Sequence, residues 1–294
     1  MGPLDLVQLT ALMDRTSGRA EISVGLIDGP VLLAHSELAT EHIREVPGKL
    51  RGLCARGDSA ACMHGTFVAG ILSARRGSTA PAICPLCSLL LRPIFSEAAG
   101  LDSVIPSASP QDLAEAIIDT VDADARIINL SSAIAQSSLK GEHKLVEALN
   151  YAAHRGAIVV ASAGNQGTVG SSVITRHPWV IPVVSCDGKG LPTSESNLGD
   201  SIGRRGLKAP GQNITSLGTN GKPLTFSGTS AAAPFVTGTI ALLWSEFPGA
   251  DAAEISLAIT RRGQQRRNTL VPPLLDAWAS YQTLASTYNG RKMS

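Results

Sequence analysis

Ile22-Ser23-Val24-Gly25-Leu26-Ile27-Asp28-Gly29-Pro30 is the stretch from which the chain is best read. The run before Asp28 is apolar, too short for a helix, and lacks the polar alternation of a strand with one wet face. It reads as a strand, Ile22 to Ile27, buried on both sides, with Gly-Pro turning the chain after Asp28. Similar runs recur at Ser88 to Ile94, Arg126 to Leu130, Ile158 to Ala161 and Val180 to Val184. Helical stretches lie between and after them. Gly65 to Ala74 is apolar and rich in small residues. Ser109-Pro110-Gln111-Asp112 opens a helix with a capping Ser, Pro in the first position and a carboxylate in the first turn. Gly141 to Arg155 is amphipathic and stops at Gly156. Ser230 to Phe247 is a long apolar helix, interrupted near its start by Pro234, and Asp251 to Arg261 and Pro273 to Ser286 follow. Strands apolar on both faces and separated by helices imply an α/β fold of three layers. Its central sheet is mostly parallel, with helices on both faces.

The 294 residues fit a single domain, 1–294, and no linker or repeat divides them. Residues 1–20 form a helical extension whose apolar side is Leu4, Leu6, Val7, Leu9, Leu12 and Met13, and residues 250–294 form C-terminal helices. Arg261 to Arg267 (RRGQQRR) reads as a solvated helix end. Aromatics are 4% against 44% apolar residues, so Ala, Val, Leu and Ile must fill the core. A net charge of +1 provides no field for nucleic acid or an anionic membrane, and neither is expected as a partner. No stretch is long and apolar enough to span a bilayer. The start carries Asp5 and lacks the basic and apolar regions of a signal peptide, so a cytoplasmic location is expected. Five cysteines are present. Cys54, Cys62, Cys84 and Cys87 could form local disulfides, a four-thiolate zinc site, or remain free thiols, and the sequence leaves all three open.

Three segments carry chemistry. Asp28 closes a buried strand, at the sheet edge where open α/β folds place their sites; alone it would pass for a turn residue. His64-Gly65-Thr66 stands just before the small-residue helix; His35, His42, His143, His154 and His177 have no such setting. In Phe226-Ser227-Gly228-Thr229-Ser230-Ala231-Ala232-Ala233-Pro234, Ser230 opens a helix whose free N–H groups and dipole favour developing negative charge. A serine there could be only a cap. The chain order Asp, His, Ser changes that reading, because it is one of the orders in which a nucleophilic triad occurs. The alternative with a G-x-S-x-G elbow needs Ser first, and Gly228-Thr229-Ser230-Ala231-Ala232 lacks the second Gly. The order His, Asp, Ser belongs to an all-β fold. Asn165, in the Gly-rich turn Ala163-Gly164-Asn165-Gln166-Gly167, can donate its amide to an oxyanion.

The motifs Leu26-Ile27-Asp28-Gly29, His64-Gly65-Thr66, Ala163-Gly164-Asn165 and Gly228-Thr229-Ser230-Ala231-Ala232-Ala233-Pro234 together resemble the subtilase family, over about Ile22 to Phe247. The resemblance implies a subtilisin-like fold and a serine endopeptidase with Asp28, His64 and Ser230 as its triad and Asn165 at the oxyanion. It also implies that substrate lies as an extended strand beside Ser131, Ser132, Ala133 and Gly164. Asp28-Gly29-Pro30-Val31, the Cys84-Pro85-Leu86-Cys87 segment leading into Leu91-Arg92-Pro93-Ile94, and the tail Val271 to Trp278 are similar to the cyanobactin maturation proteases. The cyclising type carries an extra helical insertion between the Asp and the His. The short stretch from Asp28 to His64 leaves little room for one, so the sequence resembles the leader-removing, PatA-like type.

The expected substrate is therefore a peptide or a ribosomally made precursor peptide. A general cytosolic protease is the main rival reading; a macrocyclising transpeptidase and an inactive binding scaffold are others. No cofactor or metal is expected, since no D-x-D-x-D-G calcium loop occurs. With only about 20 residues ahead of the first strand, short of a domain, no inhibitory propeptide and no self-processing are expected.

Overall fold

A computed structural model of the chain describes residues 2–97, 108–131, 139–260 and 269–292, with side chains described for all but 139–140 and 289–292. Two short helices, α1 (Pro3–Leu6) and α2 (Leu9–Met13), precede the first strand, β1 (Ser23–Ile27). There follow β2 (Ile43–Glu45), α3 (Ala60–Ser73), β3 (Ser88–Leu91), α4 (Pro110–Asp122), β4 (Ile127–Leu130), α5 (Leu139–His154) and β5 (Ile158–Ser162). Then come α6 (Val173–Arg176), β6 (Val180–Cys186), α7 (Asp200–Arg205), β7 (Leu207–Pro210) and the antiparallel hairpin β8 (Ile214–Ser216) and β9 (Leu224–Phe226). The chain closes with α8 (Thr229–Glu246), α9 (Ala252–Thr260) and α10 (Ala277–Lys292).

The main sheet has seven strands in the order β2-β3-β1-β4-β5-β6-β7, and every pairing is parallel. Val24 lies between Leu89 and Ile127, and Leu26 between Leu91 and Asn129. Successive side chains on a strand point to opposite faces, and both faces here are apolar. Val24, Leu26, Ile127, Ile158 and Val160 join one core with α3 and α8. Ile27, Ile128, Leu130, Val159 and Ala161 join the other with α4 and α5. This is the expected three-layer α/β arrangement. Both faces of these strands are therefore dry, and burying each such side chain is worth about 1.5–3 kcal/mol. Helix α8 is buried around nearly its whole circumference, as a central helix apolar on all sides must be.

Among the boundaries that differ from those read in the sequence, three have a clear physical reason. Helix α3 starts at Ala60, ahead of His64, because Ser59 caps it by accepting a hydrogen bond from Cys62 N–H at 3.1 Å. Helix α8 starts at Thr229 and runs unbroken through Pro234; only the N–H that would have gone to the Ser230 carbonyl is lost. Pro273 to Leu275 are extended, not helical. The Pro273 carbonyl accepts from Lys208 N–H and Leu275 N–H donates to the Lys208 carbonyl, laying this segment beside β7. The N-terminal helices are tied to the rest by Arg76, whose guanidinium donates to the carbonyls of Met13, Thr16 and Ile83. Arg261 to Arg267 lie outside the described residues. Among those described, no helix is long and apolar enough to cross a membrane.

Candidate active site

The strands of a parallel sheet all end on one edge, and that edge gathers the segments singled out in the sequence. Asp28 follows β1 directly and is fully buried. Its Oδ1 accepts hydrogen bonds from the Gly29 N–H at 2.6 Å and from His64 Nδ1 at 2.7 Å. His64 is in the second turn of α3 and is 2% exposed. The approach of α3 to the β1 turn depends on two glycines. A Cβ on Gly65 would collide with the carbonyls of Gly29 and Pro30, and one on Gly29 with the carbonyl of Ala61.

This bond fixes the tautomer of His64. A carboxylate oxygen only accepts, so Nδ1 carries the proton and the neutral ring presents a lone pair at Nε2. Nε2 is buried and engages no hydrogen-bonding partner among the described residues. Burial by itself pushes the imidazole pKa down. The negative charge of Asp28 and the hydrogen bond to it push it up and prevail, so the pKa lies above the ordinary value. A base with an open Nε2, backed by a buried carboxylate, is built to accept a proton and hold it.

Ser230 is the second residue of α8 and is partly exposed. Its helix has Gly228 as N-cap, at φ 135°, and no side chain of its own capping the start. The cap comes from Asn165 instead. Asn165 Oδ1 accepts from the Thr229 N–H at 2.8 Å and from Thr229 Oγ1 at 2.9 Å. With two donors on Oδ1, the NH₂ end of the amide is the one left to donate. A Cβ on Gly228 would lie 3.0 Å from that nitrogen, so a larger residue would crowd it. Phe226, at the end of β9 and just ahead of Ser230, has its ring 6.1 Å from the imidazole of His64. The structure thus joins Asp28 to His64, and Asn165 to the helix start that bears Ser230.

The residues assigned to substrate fare unevenly. Ser131 is buried at the end of β4, and its hydroxyl accepts from Asn129 Nδ2 at 2.6 Å. Asn129 in turn accepts from Thr237 of α8 at 2.8 Å. Ser132 and Ala133 lie outside the described residues. Gly164 has φ 102° and its N–H donates to Thr229 Oγ1 at 3.2 Å. Thr229 therefore bonds both Gly164 and Asn165. Sequence reading passed over it, as it did Phe226, although both flank Ser230 in the quoted motif.

The four clustered cysteines divide in two. Cys54 and Cys62 form a disulfide, with Cα atoms 5.6 Å apart, that closes the loop leading into α3. Glu97 holds the same loop by accepting from the N–H groups of Ala55 and Arg56. Cys84 and Cys87, which were also candidates for a disulfide, are unbonded and buried. They close a turn, Cys87 N–H to Cys84 carbonyl at 3.0 Å. A hydrogen bond between the thiols, with burial, holds the Cys84 proton on well above the usual range, while the same bond lowers the pKa of Cys87. With two of the four sulfurs bonded to each other, a four-thiolate zinc site cannot be assembled.

Comparison with known proteins places the family and the fold. The model of the subtilase family matches residues 19–271. Among solved structures, a point mutant of the protease domain of PatA superposes with a TM-score of 0.79 at 30% identity, covering 92% of this chain and 97% of that one. The prenylagaramide maturation protease PagA superposes with a TM-score of 0.79 at 27% identity, covering 94% and 98%. Mycosin-3 of Mycobacterium tuberculosis is 29% identical over 71% of this chain and 57% of its own length. The chain spans about half the length of the curated relatives it matches.

Proposed function

The chain belongs to the subtilase family, and we propose from that premise that it is a serine endopeptidase that removes the leader of a ribosomally made precursor peptide. The observation that carries the proposal is the buried Asp28–His64 bond of 2.7 Å, which leaves a base at Nε2 on the same sheet edge as Ser230. The substrate class is supported by likeness to PatA and to a protease named for prenylagaramide maturation.

In this reading His64 Nε2 takes the proton of Ser230 as the hydroxyl attacks the scissile carbonyl. Asp28 keeps the ring in the Nδ1–H tautomer and stabilises the cation that forms. The NH₂ of Asn165 and the N–H of Ser230 receive the oxyanion, helped by the α8 dipole. His64 then returns the proton to the leaving amine. Water attacks the acyl-enzyme by the same route, releasing the acid. Substrate runs as a strand past Ser131, Ser132, Ala133 and Gly164.

Incubating the protein with a diverse peptide library, beside Ser230→Ala, and mapping every cut by mass spectrometry tests the proposal. One recurring motif, absent with the variant, is expected. Broad cutting would keep the mechanism and replace the role with general proteolysis; cutting that survives in Ser230→Ala would end both. A cytoplasmic location is part of the proposal, and the Cys54–Cys62 bond pulls against it, because cytosolic thiols are kept reduced. Quenching whole cells in acid, unfolding the protein in the presence of an alkylating reagent and counting the modified cysteines decides between them, because Cys84, Cys87 and Cys186 are buried in the folded protein. All five labelled would fit the cytoplasm, whereas protection of Cys54 and Cys62 alone would point to an oxidising compartment.

A further inference from the structure

The turn from Ala163 to Thr168, which carries Asn165, leaves the sheet at the end of β5. Gly164 and Gly167 both take positive φ there, 102° and 62°. Such a turn cannot pair its peptide groups in a helix or a ladder, and something else must hold them. Much of that holding is done by one side chain from a different segment. Asn197 Oδ1 accepts from the Gln166 N–H at 3.1 Å, the Thr168 N–H at 3.1 Å and Thr168 Oγ1 at 3.0 Å. Its Nδ2 donates to the Ala163 carbonyl at 3.2 Å and to Gln166 Oε1 at 2.7 Å. Its own backbone N–H donates to the Gly164 carbonyl at 2.9 Å.

We infer that Asn197 is a positioning residue for the oxyanion donor, an inference that rests on the reaction proposed above. It grips the chain on both sides of Asn165 and does not bond Asn165 itself. The amide of Asn165 is left to Thr229 and, through its NH₂, to the substrate. The approach is close: a Cβ on Gly164 would collide with Asn197 Nδ2. Backbone bonds hold the far end of the turn as well, from Gly167 N–H to the Glu195 carbonyl and from Leu198 N–H to the Thr168 carbonyl. Loss of the Asn197 side chain therefore loosens the part nearest Asn165 without unravelling the whole loop. An oxyanion donor is useful only while it is already aimed, and a misplacement of about 1 Å can cost about a hundredfold in rate.

The test is a double-mutant cycle over Asn165→Ala and Asn197→Ala, read as kcat and KM on a cleaved peptide and as the rate at which a fluorophosphonate labels Ser230. The label needs no knowledge of the peptide substrate, and its phosphoryl oxygen occupies the oxyanion position. Asn197→Ala should lower kcat and the labelling rate by about ten- to a hundredfold, with KM changed by less than about threefold. In the Asn165→Ala background the same change should cost less than about twofold, because the donor it aims is gone. Asn197→Asp keeps the oxygen that receives the Gln166 and Thr168 N–H groups and should recover part of the rate; it also serves if the alanine variant fails to fold. Losses that multiply, or a fall in Tm with kcat and labelling unchanged, would make Asn197 merely structural and overturn the inference. Asn165→Ala without effect on kcat or labelling would instead overturn the oxyanion reading on which it rests.

Discussion

Helices α3 and α8 bring His64 and Ser230 to the same sheet edge, and they begin in opposite ways. Helix α3 is stopped by its own sequence. Ser59 caps it locally, and the Cys54–Cys62 bond ties down the loop before it. Ser59 takes the Cys62 N–H, and His64 presents its side chain from the second turn. Helix α8 has no local cap. Gly228 precedes it, and the side chain that takes its first amide, Asn165, comes from a distant turn. Asn165 takes the Thr229 N–H, and in the proposed reaction the Ser230 N–H is left for the oxyanion. A helix that only positions a residue can be closed by its neighbours in sequence. A helix whose end is itself part of the site has to be closed from elsewhere.

The largest test of this contrast is Ser230→Ala, which should lower kcat by about 10⁶-fold and leave thermal stability almost unchanged. Asp28→Asn comes next, at about 10⁴-fold, since the ring loses its fixed tautomer. It should also move the pH profile. Catalysis needs neutral His64, so kcat/KM in the native protein should fall as pH drops through a value above the usual imidazole pKa of about 6.5. With the Asp28 charge gone, burial alone acts on the ring and that limb should shift to lower pH. An unshifted limb would show that it reports some other group.

Asn165 separates the two uses of the α8 start. Asn165→Ala should lower kcat by about 10²–10³-fold through the lost donor, and also destabilise the protein by about 1 kcal/mol through the lost cap. Asn165→Asp keeps Oδ1 on Thr229, so the loss in kcat should remain while Tm recovers. The smallest effect belongs to α3. Ser59→Ala should destabilise by about 1 kcal/mol with kcat within about twofold, because the cap lies a turn away from His64. A large loss of kcat in Ser59→Ala would erase the distinction between the two helices.

The same contrast explains what could be read in the sequence. Strands β1, β3, β4, β5 and β6 announce themselves because both of their faces are buried and apolar. The edge strands do not. Ile43-Arg44-Glu45 of β2 is short and largely exposed, and β7 carries Lys208, so neither makes an apolar run. Asp28, His64, Asn165 and Ser230 stand out because each sits beside glycines or small residues that permit close approach, and because their order is informative. Thr229 and Asn197 gave no such signal. A threonine at a helix start and an asparagine in a polar loop are common, and what sets these two apart is their contacts between segments far apart in the chain. Ser59 was legible in principle, since a serine before an apolar stretch is a cap signal, but the helix was read from Gly65 and the cap went unused.

In the proposed reaction Ser230 is a nucleophile driven by His64. This is tested most directly by labelling the pure protein with a fluorophosphonate and locating the adduct by mass spectrometry, beside His64→Ala. A single adduct on Ser230 is expected, lost or slowed by orders of magnitude without His64. An adduct on another residue, or labelling of Ser230 at the same rate in His64→Ala, would contradict it.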